Sequence, residues 1–85
     1  YMEFKNITDK MIAIYEAKNA DYGSSFDSTC NKYGLVAALI RIEDKMNRLS
    51  SLISKQDIKV KDESVKDTLL DLANYAVLSY LWLLM

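Results

Sequence analysis

The stretch DESVKDTLLDLANYAVLSYLWLLM, residues 62–85, decides the fold of this chain. Its second half, LANYAVLSYLWLLM, would be apolar on every side of a helix, and neither proline nor glycine interrupts it. Such a helix cannot be a surface element of a monomer, because it has no polar face to turn toward water. We therefore predict that it lies at the centre of an assembly, or that sequence beyond residue 85 covers it.

Two further helices are predicted upstream, which gives an all-α, three-helix core for a single domain spanning residues 1–85. Residues 4–19 carry apolar side chains at steps of three and four. From Gly34 to about residue 53 the steps again alternate between four and three, as in helix bundles. The first two turns of this second helix, LVAALI, are apolar nearly all round, so we expect deep burial there. With only two glycines and no proline, the chain favours long helices over a sandwich or barrel.

Two connections separate the predicted helices. Residues 21–34, DYGSSFDSTCNKYG, hold both glycines and many small polar residues, which predicts an ordered loop with room for one short helical turn. Residues 54–61 form a polar, lysine-rich connection. The third helix should begin near residue 62 or 64, where Ser64 and Asp67 have the spacing of a capping box.

Composition limits the class of protein. Since 51% of the 85 residues are hydrophobic, more than a small monomer easily covers, we predict a homodimer or homotetramer. The balance of 11 basic and 12 acidic residues disfavours duplex nucleic acid as a ligand. The apolar run of residues 72–85 is too short to span a bilayer, and no signal peptide is visible. We therefore expect a cytoplasmic protein without a membrane partner.

The chain contains no histidine and one cysteine. These absences exclude a Ser-His-Asp triad, a Cys-His pair and the common zinc centres within one chain. Without histidine to activate it, Cys30 is interpreted as a small apolar filler. Any chemistry must therefore use carboxylates, lysines, hydroxyls and a hard metal such as magnesium.

An acidic stripe is predicted on the third helix. Glu63, Asp67, Asp71 and Asn74 fall within an arc of about 80° at 100° per residue. Such a stripe is most often a solvated face. Here it runs into apolar sequence, and the second helix offers Glu43 and further polar residues that an antiparallel neighbour would place opposite it. Carboxylates converging from two helices are what a magnesium site requires, so both readings stay open.

Cationic and aromatic residues around the stripe are candidates for binding phosphate and base. Each cation alone is equally a solvated charge or a helix-face ion pair. The aromatic residues of the 21–34 segment could stack on a base or belong to the core. The cations are Lys18, Lys32, Arg41, Lys45 and Arg48, and the aromatic residues are Tyr22, Phe26 and Tyr33.

Three strings, KNADYGSSF, KYGLVAALIRIEDKMNRL and DESVKDTLLDLANYA, resemble a small phage and prophage family described as nucleotide-modification-associated. That family is grouped with the MazG-like all-α nucleotide pyrophosphohydrolases, and the similarity covers residues 18–76. The wider superfamily holds magnesium with a Glu-Glu-x-x-Glu motif on one helix and Glu-x-x-Asp on the next. The first motif would fall on Glu43, Asp44 and Asn47. The second would fall on Thr68 and Asp71, with Asp67 one residue earlier.

The resemblance implies Mg²⁺-dependent attack of water on the α-phosphate of a nucleoside triphosphate, with release of pyrophosphate, in phage nucleotide metabolism or modification. It assigns Glu43 as a metal ligand or general base. The implied metal ligands are Asp44, Glu63, Asp67 and Asp71. The implied nucleotide contacts are Lys45 and Arg48 for phosphate, and Lys18, Asn19, Asp21 and Tyr22 for base or sugar. The alternative is a non-catalytic helical module that binds a nucleotide or another protein through the third helix.

Overall fold

The computed structural model describes residues 2–18, 24–54 and 58–85. Within these residues the chain forms four helices and no strand, so the all-α prediction is confirmed. The helices are α1 (Met2–Ala17), α2 (Ser25–Tyr33), α3 (Val36–Ile53) and α4 (Ile58–Leu84). The predicted first and second helices correspond to α1 and α3, with boundaries that differ by two residues or fewer.

The segment predicted as a loop contains a nine-residue helix, α2. Its inward face is formed by Phe26 and Cys30, each 1% exposed and one turn apart. The remaining positions are small and polar, so the sequence hides the apolar spacing that marks longer helices. Two well-placed anchors are enough to hold α2 against α3 and α4.

Gly34 ends α2 and turns the chain into α3. Its φ of +82° lies in the region that only glycine adopts readily. In this conformation its backbone N–H donates to the Cys30 carbonyl at 2.7 Å, and its own carbonyl accepts from Ala37 N–H at 3.1 Å. The turn therefore closes one helix and starts the next within two residues.

We expect Gly34→Ala to destabilise the fold by about 1–3 kcal/mol, the cost of holding an L side chain in this conformation. An added Cβ would meet nothing within 4 Å, so the loss comes from the backbone and not from a clash. Urea unfolding measures it, and Ser28→Ala on the exposed face of α2 is the matched control. Equal stability of Gly34→Ala and the parent chain would show that the turn tolerates another conformation.

The predicted start of the last helix is wrong by about one turn or more. α4 already includes Ile58, so part of the lysine-rich segment that was predicted as a connection is helical. Lysine is a good helix former, and nothing in residues 58–61 interrupts the helix. Ser64 therefore lies inside α4 and cannot cap it; its carbonyl accepts a 2.7 Å hydrogen bond from the Thr68 hydroxyl.

α3 and α4 form the largest contact of the fold and run antiparallel. Arg41 meets Tyr75, and Lys45, one turn farther along α3, meets Asp71, one turn back along α4. The buried core lies where α2 joins this pair. It consists of Phe26, Cys30, Ala37, Ala38 and Leu78, with Ile14, Tyr15, Tyr75 and Trp82 packed against it.

Much of the apolar surface stays exposed in the single chain. The predicted deep burial of the LVAALI turns is wrong here, because only Ala37 and Ala38 are buried while Leu39 is 57% exposed and Ile40 is 55% exposed. The α3–α4 crossing admits the two alanines and turns the larger side chains outward. At the C-terminal half of α4 the exposed residues include Val77, Tyr80, Leu81, Leu83 and Leu84.

The remaining helix, α1, packs on α4. Its exposed face carries large apolar side chains, with Phe4 at 73% and Ile12 at 55% exposed. In the described part of the chain, none of the helices combines the length and apolarity needed to cross a bilayer.

Candidate functional site

The centre of the candidate site is an ion pair between α3 and α4. Lys45 Nζ lies 3.3 Å from Asp71 Oδ2, and the two side chains are 28% and 27% exposed. The pair is partly shielded by the helices yet open to solvent from one side. It brings together a predicted phosphate ligand and a predicted metal ligand from different helices.

A second contact extends the site by one helical turn. Arg41 Nη1 donates to the Tyr75 hydroxyl at 3.4 Å, and its guanidinium lies 5.9 Å from the ring centroid. Since Tyr75 also packs with its ring centroid 5.9 Å from that of Phe26, the site rests directly on the core. The core thereby fixes the position of Arg41 and, through α4, of Asp71.

The acids of α3 do not face the stripe, contrary to our expectation. Glu43 and Asp44 are exposed, as are Asn47 and Arg48. The antiparallel register turns Lys45 toward Asp71, and at 100° per residue the two preceding acids then point about 100° and 200° away. The stripe thus meets a cation and not a second set of carboxylates.

The stripe itself passes from solvent into the core. Glu63 and Asp67 are exposed, Asp71 is half-buried, and Asn74 is 5% exposed. Thr68, at the glutamate position of the second motif, is 2% exposed, and its hydroxyl is used within α4. Among the described residues, no three acidic or cysteine side chains come together as a group that could hold a metal ion.

The predicted base and sugar contacts are only partly described. Lys18 is exposed, and its backbone N–H donates to the Ile14 carbonyl at 3.0 Å. Asn19, Asp21 and Tyr22 lie outside the described residues. Tyr33 is 61% exposed, and Lys32 Nζ lies 5.3 Å from its ring centroid.

A comparison with known protein families identifies the family of the chain. A family described as "Nucleotide modification associated domain 1" matches residues 18–83. The chain belongs to this family. No curated protein and no solved structure matches the chain.

The match places the site inside the nucleotide modification associated domain. It spans α2, α3 and all but the last residue of α4, and therefore includes both contacts between α3 and α4. α1 lies before the first matched residue. The ion pair and the five buried residues of the core therefore lie within the matched region, whereas α1 lies outside it.

The cysteine of the nucleotide modification associated domain is structural. Burial, and after it the nearby Asp27 carboxylate, raise the pKa of the Cys30 thiol above its ordinary value of 9.0, while an Ala38 backbone hydrogen bond and Arg41 act in the opposite direction. At neutral pH the thiol is therefore protonated and a poor nucleophile.

Sequence reasoning missed one part of this site, the contact of Tyr75 with Arg41. A signal was present, because Arg41 and Lys45 on α3 share the four-residue spacing of Asp71 and Tyr75 on α4. Two such pairs can face each other across antiparallel helices. The register needed to recognise them is set by packing and is not written in either helix alone.

Proposed function

We propose that this domain is a magnesium-dependent nucleoside triphosphate pyrophosphohydrolase of the MazG-like type, active in cytoplasmic nucleotide metabolism or modification. The reaction converts an NTP or dNTP to the monophosphate and pyrophosphate. The observation that carries the proposal is the partly exposed Lys45–Asp71 pair, which lies within the region matched by the family.

The pair suits a magnesium–nucleotide complex because both of its members can exchange partners. Lys45 can exchange the Asp71 carboxylate for a phosphate group, and Asp71 can exchange the Lys45 ammonium group for a divalent cation. A pair with this exposure contributes on the order of 1 kcal/mol or less to stability, so opening it costs little. Arg41, one turn away, adds a second positive charge beside the incoming phosphates.

The described residues fit a magnesium ion that arrives with its nucleotide. Magnesium in phosphate-transfer sites commonly uses one or two protein carboxylates, with waters and substrate phosphates completing its shell. Asp71 supplies one such carboxylate at a half-buried position. Asp44, Glu63 and Asp67 are exposed, and among the described residues they form no group of three with Asp71 that could hold a metal ion, so in this proposal a second copy completes the ligand set.

In the proposed reaction a water oxygen bonds to the α-phosphorus, the bond between the α-phosphorus and the oxygen that bridges to the β-phosphate breaks, and that oxygen leaves with pyrophosphate. A bound magnesium ion supplies charge neutralisation and a more acidic water. Lys45 and Arg48 hold phosphate oxygens. Glu43 accepts the proton of the attacking water. Because Glu43 points away from Asp71 within one chain, it would act on the site of a second copy.

Pyrophosphate release from a panel of canonical and modified nucleoside triphosphates tests this function. Phosphorus NMR distinguishes pyrophosphate from orthophosphate, and each substrate is run with magnesium and with excess chelator. We expect chelator-sensitive pyrophosphate from at least one substrate. Orthophosphate alone, or no product from any member of the panel, would contradict the proposal.

The second candidate is a non-catalytic helical module that binds a nucleotide or a protein partner. It is favoured by the missing group of three acids among the described residues and by the exposed apolar face of α4. It predicts no pyrophosphate release, and a fold and assembly that chelator leaves unchanged. Calorimetry with the same panel then separates a nucleotide-binding module from a protein-binding one.

Both candidates include self-association as a homodimer or homotetramer. The exposed apolar residues of α3 and α4 exceed what a small monomer normally leaves in water. Light scattering at micromolar concentration should give at least twice the chain mass. A single species at 9.8 kDa would contradict this part of the proposal.

A further inference from the structure

A pocket of about 550 Å³ opens between α1 and α4, and neither Lys45 nor Asp71 lines it. This volume falls in the range of small-molecule sites. Its lining is almost entirely apolar, contributed mainly by Met11, Ile12, Val77, Leu78 and Leu81. Because α1 precedes the region that the family matches, the family assignment does not account for this pocket.

One polar group in the pocket lacks a partner. Asn74 lines the pocket and is only 5% exposed, and among the described residues its side-chain Nδ2 has no hydrogen-bond acceptor. A buried donor without an acceptor is unfavourable, and native proteins keep few of them. Asn74 also interrupts a segment that is otherwise apolar, where leucine would fill the same space without this cost.

We propose that this pocket binds the heterocyclic base of a nucleotide, with a ring carbonyl or ring nitrogen accepting a hydrogen bond from Asn74 Nδ2. A flat ring offers apolar faces to Met11 and Leu78 and an acceptor at its edge. Tyr15, half-buried at the same pocket, adds an aromatic surface against which a base can pack. Binding would satisfy this unpaired donor while keeping water away from the apolar lining.

A second copy of the chain fits the pocket less well. Of the exposed residues that line it, Glu16 carries an acceptor, but the larger group formed by Ile12, Val77 and Leu81 is apolar and offers none. A contact made by these residues would cover Asn74 and leave its Nδ2 unpaired. A ligand that carries its own acceptor satisfies the donor, so the observations favour a base over self-association at this place.

The choice of a nucleobase rests on the proposed function, whereas the pocket and its unpaired donor do not. Asn74 follows Asp71 by three residues, a rise of about 4.5 Å along α4. The two residues therefore lie within the dimensions of one nucleotide. Base recognition by the α1–α4 pocket would add selectivity to a site whose charged pair recognises phosphates in general.

The test uses free nucleosides, without phosphate or metal, and follows amide resonances by NMR titration. The probes are the common nucleosides and an analogue whose ring is phenyl, which has the flat faces but no acceptor. We expect nucleosides to shift resonances of α1 and α4 around the pocket and to bind at least tenfold more tightly than the phenyl analogue. This comparison needs no variant.

The variant Asn74→Leu removes the donor and keeps the volume, and Asn6→Leu makes the same change at an exposed position of α1. We expect Asn74→Leu to weaken nucleoside binding at least tenfold and to leave the affinity for the phenyl analogue unchanged. The variant should unfold at the same temperature as the parent chain or at a higher one. Asn6→Leu should bind nucleosides as the parent chain does.

Three results would overturn the inference. The first is that nucleosides shift no resonances, or shift resonances outside the pocket. The second is that the phenyl analogue binds as tightly as the nucleosides. The third is that the pocket resonances respond to protein concentration and not to nucleosides, which would mean that a second copy covers the pocket. None of these concerns phosphate chemistry. If the parent chain releases pyrophosphate but Asn74→Leu binds nucleosides as tightly as the parent chain does, only this inference is rejected. If nucleosides bind in the pocket but no triphosphate yields pyrophosphate, only the hydrolase proposal is rejected.

Discussion

Turnover of nucleoside triphosphates falls by about 100-fold or more in the variant Asp71→Asn, if the ion pair between α3 and α4 is the catalytic centre. Loss of residues that only support a metal ligand already costs about 10- to 100-fold, and Asp71 is proposed to be the ligand itself. Asparagine keeps the size of the side chain and one oxygen but removes the charge that attracts a cation. Steady-state pyrophosphate release at saturating magnesium measures the effect.

The matched control is Asp9→Asn, which makes the same change in another ion pair. Lys5 Nζ lies 2.9 Å from Asp9 Oδ2 on α1, and these side chains are 71% and 56% exposed. We expect unchanged turnover in this control and the helical circular dichroism of the parent chain in both variants. Equal turnover of Asp71→Asn and Asp9→Asn would remove Asp71 from the mechanism.

Phe26→Ala should lower the free energy of unfolding by about 3–5 kcal/mol, the usual cost of removing a buried phenyl ring. Phe26 is 1% exposed and lies at the junction of α2, α3 and α4. A domain of this size has a total stability of only about 4–13 kcal/mol. The variant should therefore lose much of its stability, which chemical denaturation measures.

The control Phe4→Ala removes the same ring from a position that is 73% exposed. A surface substitution of this kind changes stability by about 0.5 kcal/mol or less. A small loss at Phe4 and a large loss at Phe26 would confirm that α2 is a core element. Large losses of stability in both variants would instead show that Phe4 is buried in the assembly.

The helical architecture was largely predictable from the sequence, because α1 and α3 carry clear apolar periodicity over several turns and neither glycine nor proline interrupts α4. α2 was not, since its helical character rests on Phe26 and Cys30 alone within nine residues. The start of α4 was placed too late because polar, lysine-rich sequence suits both a helix and a connection. Local composition could not decide between them.

The candidate site was predictable in its parts and not in its pairing. Lys45 and Asp71 were both expected to bind the nucleotide and its metal, but the sequence suggested that acids of α3 would face the acidic stripe. The direction in which each α3 side chain points depends on which face of α3 packs against α4. That face is set by tertiary packing and not by the sequence of α3 alone. The unpaired donor of Asn74 likewise emerges only once α1 is placed beside α4.

The most direct test of the central claim locates the metal–nucleotide complex on the molecule. Manganese suits the same oxygen ligands as magnesium and broadens nearby amide resonances. With a triphosphate analogue that cannot be cleaved between its α- and β-phosphates, we expect broadening that is strongest around Lys45 and Asp71 and depends on the nucleotide. Broadening centred elsewhere on the four helices, or none in the presence of nucleotide, would contradict the account.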